Sequence, residues 1–181
     1  MQERVYALFG FFGPLTLYIS IAVSVVLSPW FSWQNNMLSD LGNTTISNTA
    51  TVFNGGMLLA GFLLMIYAAT VFKSHAKYSS YCLLASTFFV QLIAVFNESY
   101  GQLHYVVAVP HFLMLSLTSL VYGYEKRSKL ALGTFGVAML TWLIYGLHVF
   151  DWSIAVPETV SKIVVAWIMY SAIKIYINKA A

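Results

Sequence analysis

Six long apolar runs, at residues 5–27, 50–72, 81–96, 103–124, 130–150 and 155–177, dominate the chain. Each approaches the roughly 20 residues that a helix needs to cross a hydrocarbon core. Backbone groups in lipid find no water to bond, so only helices and closed barrels span it, and these runs lack the period-two alternation of barrel strands. Charge agrees with this reading: 8% of the residues are charged and 60% hydrophobic, whereas a soluble domain carries about 25% charged residues. The first run is longer than the roughly 7–15 residues of a secretory signal core and no small-x-small site closes it, so it counts as a helix of the mature fold. The expected fold class is all-α: a polytopic membrane protein, multi-pass in the cell membrane, with a six transmembrane helix bundle forming a single domain over residues 1–181.

Basic residues give the expected orientation. Arg4 precedes the first run, Lys73 and Lys77 lie between the second and third, and Lys126, Arg127 and Lys129 between the fourth and fifth. Lys174 and Lys179 close the chain, so six helices put all of these on one side. The positive-inside rule makes that side, and both termini, cytoplasmic. The net charge of +3 is thus a topology signal, and with no basic stripe or zinc-finger spacing a nucleic-acid partner is not expected. Cys82 is the one cysteine, which excludes a disulfide framework and a redox thiol pair.

The opposite side has a different chemistry. Its connections, around residues 28–49, 97–103 and 151–154, contain no Lys or Arg, yet Asp40, Glu98, His104, His148, Asp151 and Glu158 lie in or beside them. His104 and His111 are seven apart, which on a helix at about 100° per residue brings them within about 20° of one direction. Polar side chains at such depth face the bundle interior or a water-filled cavity. Both histidines are therefore expected on an inward stripe, with Pro110 between them as a helix irregularity. Gln91 with Glu98 and Thr141 with His148 repeat the same spacing. Thr16, Ser20, Ser24 and Ser28 form a small-residue stripe of the kind that lets helices approach closely. Glu158 and Lys162 make an i,i+4 pair in the last run, where a structural role is the favoured reading. His75 is expected to be solvated in a cytoplasmic loop.

Trp33, Asn36, Ser39, Asp40, Leu41 and Gly42, followed by Phe53–Gly56 and by the Phe-Asn-Glu at 96–98 with its following histidine, resemble the signature of the domain of unknown function 998 family. These are six-helix bacterial and archaeal membrane proteins. The resemblance supports the fold and implies Asp40 and Asn54 as characteristic polar positions, but it implies no activity. Ser39 or Asp40 suits the cap of a short interfacial helix, with Trp30 and Trp33 as headgroup-level anchors.

Together these residues point to an outward-facing polar pocket lined by Asp40, Asn54, Glu98, His104, His111 and His148. The favoured function is binding of a small amphipathic or lipid-like ligand, with nearby aromatic residues Trp33, Tyr100, Tyr105 and Trp152 suited to it. The alternative is a zinc-dependent membrane hydrolase acting on lipid at the outer leaflet, with His104, His148 and Asp40 as candidate zinc ligands and Glu98 as base. Lesser alternatives are electron transfer through a haem held by His111 and His148, and an accessory subunit whose outer polar cluster is a satisfied hydrogen-bond network. Familiar nucleotide, zinc-protease and hydrolase motifs are missing from the sequence.

Overall fold

The computed structural model describes residues 2–178, so Lys179 lies outside the described residues. Among the described residues six helices are long and apolar enough to cross a membrane: α1 (Gln2–Val26), α2 (Ala50–His75), α3 (Lys77–Val95), α4 (Gln102–Glu125), α5 (Lys129–Gly146) and α6 (Ala155–Asn178). The chain is thus an integral membrane protein, and the regular structure of its described residues is helical. Two helices carry a local change of pitch, a π-helical turn at Ala68–Phe72 in α2 and a 3-10 turn at Val164–Ala166 in α6. α4 runs through Pro110 without ending.

Each helix packs on its neighbours in sequence, and α6 packs back on α1, so the six close into a ring. An even number of spans returns the chain to the end where it began. Accordingly the Arg4 guanidinium lies 4.5 Å over the Tyr176 ring. The α1–α2 seam is the tightest. A Cβ added at Gly10 would stand 2.7 Å from the Tyr67 ring, one at Gly13 2.6 Å from Leu64, and one at Gly56 would fall on the Ser20 side chain. Ser20, Ser24 and Ser28 are buried along this face, as the small-residue stripe anticipates, because only short side chains let two backbones approach so closely.

The core divides into two halves. At the basic end the rings of Tyr67, Phe72, Tyr122 and Trp167 stack: Phe72 lies 5.1 Å from Tyr67 and 5.6 Å from Tyr122, and Tyr122 lies 4.3 Å from Trp167. Their polar atoms are satisfied within the stack, Tyr67 by Ser171 at 2.8 Å and the Trp167 indole by Ser119 at 3.1 Å. The other half packs Leu17, Ile21, Met57, Val90 and Val107 under a short 3-10 helix, Leu38–Gly42. Aromatic rings thus plug one half, and the buried charges gather in the other.

Candidate functional site: the polar end of the bundle

The connection from α1 to α2 folds over the ring as a lid. Its 3-10 helix begins where the Asp40 carboxylate accepts the Met37 N–H at 2.9 Å and the Asn36 amide at 3.1 Å. That contact satisfies donors which a helix start otherwise leaves open. At its other end the Asn54 side-chain amide donates to the Gly42 carbonyl at 2.7 Å, tying the lid to α2. Leu38 and Leu41 point inward, 1% and 0% exposed, and anchor it as apolar plugs. Two polar contacts then fix it to the rest of the ring: Leu38 N–H donates to Glu158 at 3.0 Å, and Ser39 Oγ donates to Glu98 at 3.0 Å.

Glu98 is the centre of the second contact. The sharp turn between α3 and α4 passes through Gly101 at φ +57°, a left-handed position that favours glycine, and brings Glu98 back over the first turn of α4. There its carboxylate meets His104 Nε2 at 3.2 Å and accepts from the Tyr105 hydroxyl at 3.4 Å. The other imidazole nitrogen, Nδ1, faces the Phe96 carbonyl at 2.9 Å and must donate to it. For Nε2 to bond Glu98 as well, a second proton has to sit on one member of the pair.

Beneath the lid is a cavity of about 20 Å³ lined by Ser39, His104, Phe112, Glu158 and Lys162. A second, of about 30 Å³, lies where α1, α2, α3, α4 and α6 converge, with His111, Ser86 and Lys162 on its wall. Each has room for about one water. Lys162 belongs to both. Its ammonium lies 4.4 Å over the Phe112 ring and 3.5 Å from the Glu158 backbone carbonyl, while the Glu158 carboxylate is turned to the lid. The two residues therefore do more than the i,i+4 pair expected of them, since each also ties α6 to a different element. His111 Nδ1 donates to the Ser86 carbonyl at 3.0 Å, leaving Nε2 buried without a partner among the described residues.

Outside the ring, between α1 and α6, runs an apolar groove of about 340 Å³. Trp33 stands on its wall, with Tyr18, Ala22, Val25, Thr159 and the stem of Lys162. Tyr18 spends its hydroxyl on the Lys162 carbonyl at 3.0 Å, whereas the buried Thr159 hydroxyl has no partner among the described residues.

Set beside known families, the chain matches the model described as protein of unknown function (DUF998) over residues 11–174. It belongs to that family. No curated protein and no solved structure matches it.

Within this DUF998 fold the residues expected at the pocket separate into three groups. Glu98 and His104 meet directly, and His111 shares their helix face one level deeper, both histidines being buried. Asp40 and Asn54 hold the lid from its two ends. His148 stands apart: it ends α5 at φ +52°, is exposed, and has the Tyr145 ring 6.3 Å away. The Thr141–His148 stripe does not face the interior: α5 fully buries only Ala131 and Ala138, the Thr141 hydroxyl bonds its own helix at the Val137 carbonyl, and His148 is exposed. Consequently His104, His148 and Asp40 do not assemble into a zinc site, and no three His, Cys, Asp or Glu side chains among the described residues are placed to hold a metal. A haem between His111 and His148 meets the same obstacle, and the cavity of about 30 Å³ beside His111 is far smaller than a porphyrin.

Lys162, Glu158, Ser39 and Ser86 are the site residues that spacing alone did not assign. The usable signal was depth: a lysine inside an apolar span faces a cavity or a partner, whatever lies four residues away. His75 also departs from its expected loop. It ends α2, half-buried, with Nε2 3.3 Å from the Tyr122 hydroxyl.

The Glu98 contacts predict a graded response. Glu98→Ala strands the His104 N–H and the Ser39 hydroxyl, and is expected to cost about 2 kcal/mol, the loss for buried donors left unsatisfied. Glu98→Gln keeps an acceptor and should cost about half of that. Equilibrium unfolding in mixed micelles measures both; equal losses would show that the acceptor geometry is unimportant.

Proposed function

We propose that this DUF998 protein binds a lipid-like amphipathic molecule in the cell membrane, with its apolar chain in the α1–α6 groove and its polar group at the level of Trp33. The observation that carries this reading is the groove itself: about 340 Å³, walled almost entirely by apolar side chains, and holding the unpartnered Thr159 hydroxyl. A mostly apolar concavity with a few polar groups is the usual form of a small-molecule site. Rotation of the Thr159 side chain would turn this buried hydroxyl toward an ester or amide carbonyl in the groove. The Trp152 indole N–H, also buried without a partner among the described residues, is a second such donor at this end of the bundle. It adjoins Ser153, whose N–H donates to the Trp33 carbonyl at 3.2 Å. The lid supports the reading as well, since Ser153 Oγ also bonds the Asn36 carbonyl and so couples the residues around Trp33 to the start of α6.

The test fills the groove without touching the core. Ala22 is exposed on its wall, so Ala22→Trp is expected to leave the unfolding temperature unchanged while abolishing retention of a lipid through detergent exchange, read by native mass spectrometry. Wild-type protein that retains no lipid under the same exchange, or a variant that retains as much, would sink the proposal.

A further inference from the structure

The basic end of the bundle holds a second concavity, of about 240 Å³, that the groove reading does not involve. Its cations come from two places. Lys126 and Arg127 lie in the turn between α4 and α5, and Lys174 reaches in from α6. His75, Trp167 and Tyr170 line it as well, so it has an aromatic wall beneath a cationic rim.

Three features distinguish it from the scattered lysines that topology alone requires. First, two of the cations are held. Lys126 Nζ donates to the His75 carbonyl at 3.0 Å and Lys174 Nζ lies 4.6 Å over the Tyr170 ring, while Arg127 stands exposed beside them in a left-handed turn at φ +49°. Second, no carboxylate lines the pocket among the described residues. Glu125, adjacent in sequence to Lys126, is committed elsewhere: it accepts from Ser79 Oγ at 2.6 Å, Ser79 N–H at 3.0 Å and Tyr78 N–H at 3.2 Å, capping the start of α3. Third, α5 starts here, with Ser128 both lining the pocket and capping the helix through Ala131 N–H at 3.3 Å, so the positive end of its dipole faces the same space. Lys73 and Lys77, at the same end of the bundle, show the alternative. They lie over Tyr81 and Tyr78 and take no part in the pocket.

We infer that this pocket binds a phosphate-bearing anion. Cations converging on a pocket with no carboxylate in its wall favour a multiply bonded oxyanion, and arginine suits its planar, bidentate recognition. Basic pockets between transmembrane helices near a headgroup layer take acidic phospholipid heads by this chemistry, and a soluble phosphate ester would satisfy the same groups.

The experiment separates the two sources. The full chain is placed in phosphatidylcholine nanodiscs with or without phosphatidylglycerol, and bound lipid is counted by native mass spectrometry; in the phosphatidylcholine discs, inorganic pyrophosphate is titrated against the unfolding temperature. The comparison variants are Lys126→Gln/Arg127→Gln/Lys174→Gln and, as a control of equal location, Lys73→Gln/Lys77→Gln. Selective retention of phosphatidylglycerol that falls roughly a hundredfold in the triple variant, at about fivefold per cation, and persists in the control supports a lipid headgroup. Stabilisation by pyrophosphate with the same variant pattern, without lipid retention, supports a soluble phosphate. Equal loss in the control, or no response to either probe, overturns the site.

Discussion

Lys162→Met is expected to lower the unfolding free energy by about 2 kcal/mol, the scale of a lost hydrogen bond to a buried charged group. Glu158 and Lys162 are 8% and 5% exposed, within the first eight residues of α6. Methionine keeps most of the lysine stem but removes the ammonium and its place over the Phe112 ring. What remains is a carboxylate in the core, bonded to Leu38 N–H but without its neighbouring cation. The double variant Glu158→Gln/Lys162→Met removes both charges and keeps an acceptor for Leu38, and should recover all but about 1 kcal/mol. Equilibrium unfolding in mixed micelles decides it. A single variant as stable as the wild type would mean that the ammonium does not compensate Glu158 at all.

Adjacent glycines should respond in opposite directions. A Cβ at Gly56 would fall on the Ser20 side chain, whereas at Gly55 it would meet nothing within 4 Å. Gly56→Ala is expected to cost about 3 kcal/mol, at the upper end of the range for overpacking, since two helix backbones have to part. Gly55→Ala, on the exposed face, should instead gain about 0.5 kcal/mol from reduced backbone freedom in the unfolded chain. The decisive variant is Ser20→Gly combined with Gly56→Ala, which moves the side chain from one helix to the other and should restore most of the loss. No rescue would show that the cost arises within α2 and not at its seam with α1.

Much of this architecture is legible without coordinates, because its causes are local. Apolar run length fixes the spans, and the small stripe on α1 marks the tight seam. Seven-residue spacing correctly puts His104 and His111 on one buried face. Asp40 is legible as a cap since capping depends on residues three or four positions apart. The misjudged positions depend on which face of a helix meets which neighbour. His148 carries the same spacing from Thr141 as His111 does from His104, but α5 lies in the ring with contacts on one narrow side, and helical periodicity contains no term for that. Lys162 shows the converse. Its relation to Glu158 is visible in the sequence, but its place at the junction of two cavities depends on the lid, more than 100 residues away in the chain, and on Phe112, 50 residues away.

Ring closure by α6 also bears on how the chain enters a bilayer. Contacts between consecutive helices can form as each hairpin is threaded into the membrane, but α6 must find α1, laid down first. It arrives carrying Glu158 in its first turn and Lys162 one turn further in, and a charge on an isolated helix opposes insertion by up to about 3 kcal/mol on translocon scales, the more so the nearer it lies to the helix centre. The cleft between α1 and α5, the lid over it and the Phe112 ring provide the partners that remove this barrier. Stable accommodation of the last helix is therefore expected to wait on the first, and the chain's closing contact to be the last of the ring to form.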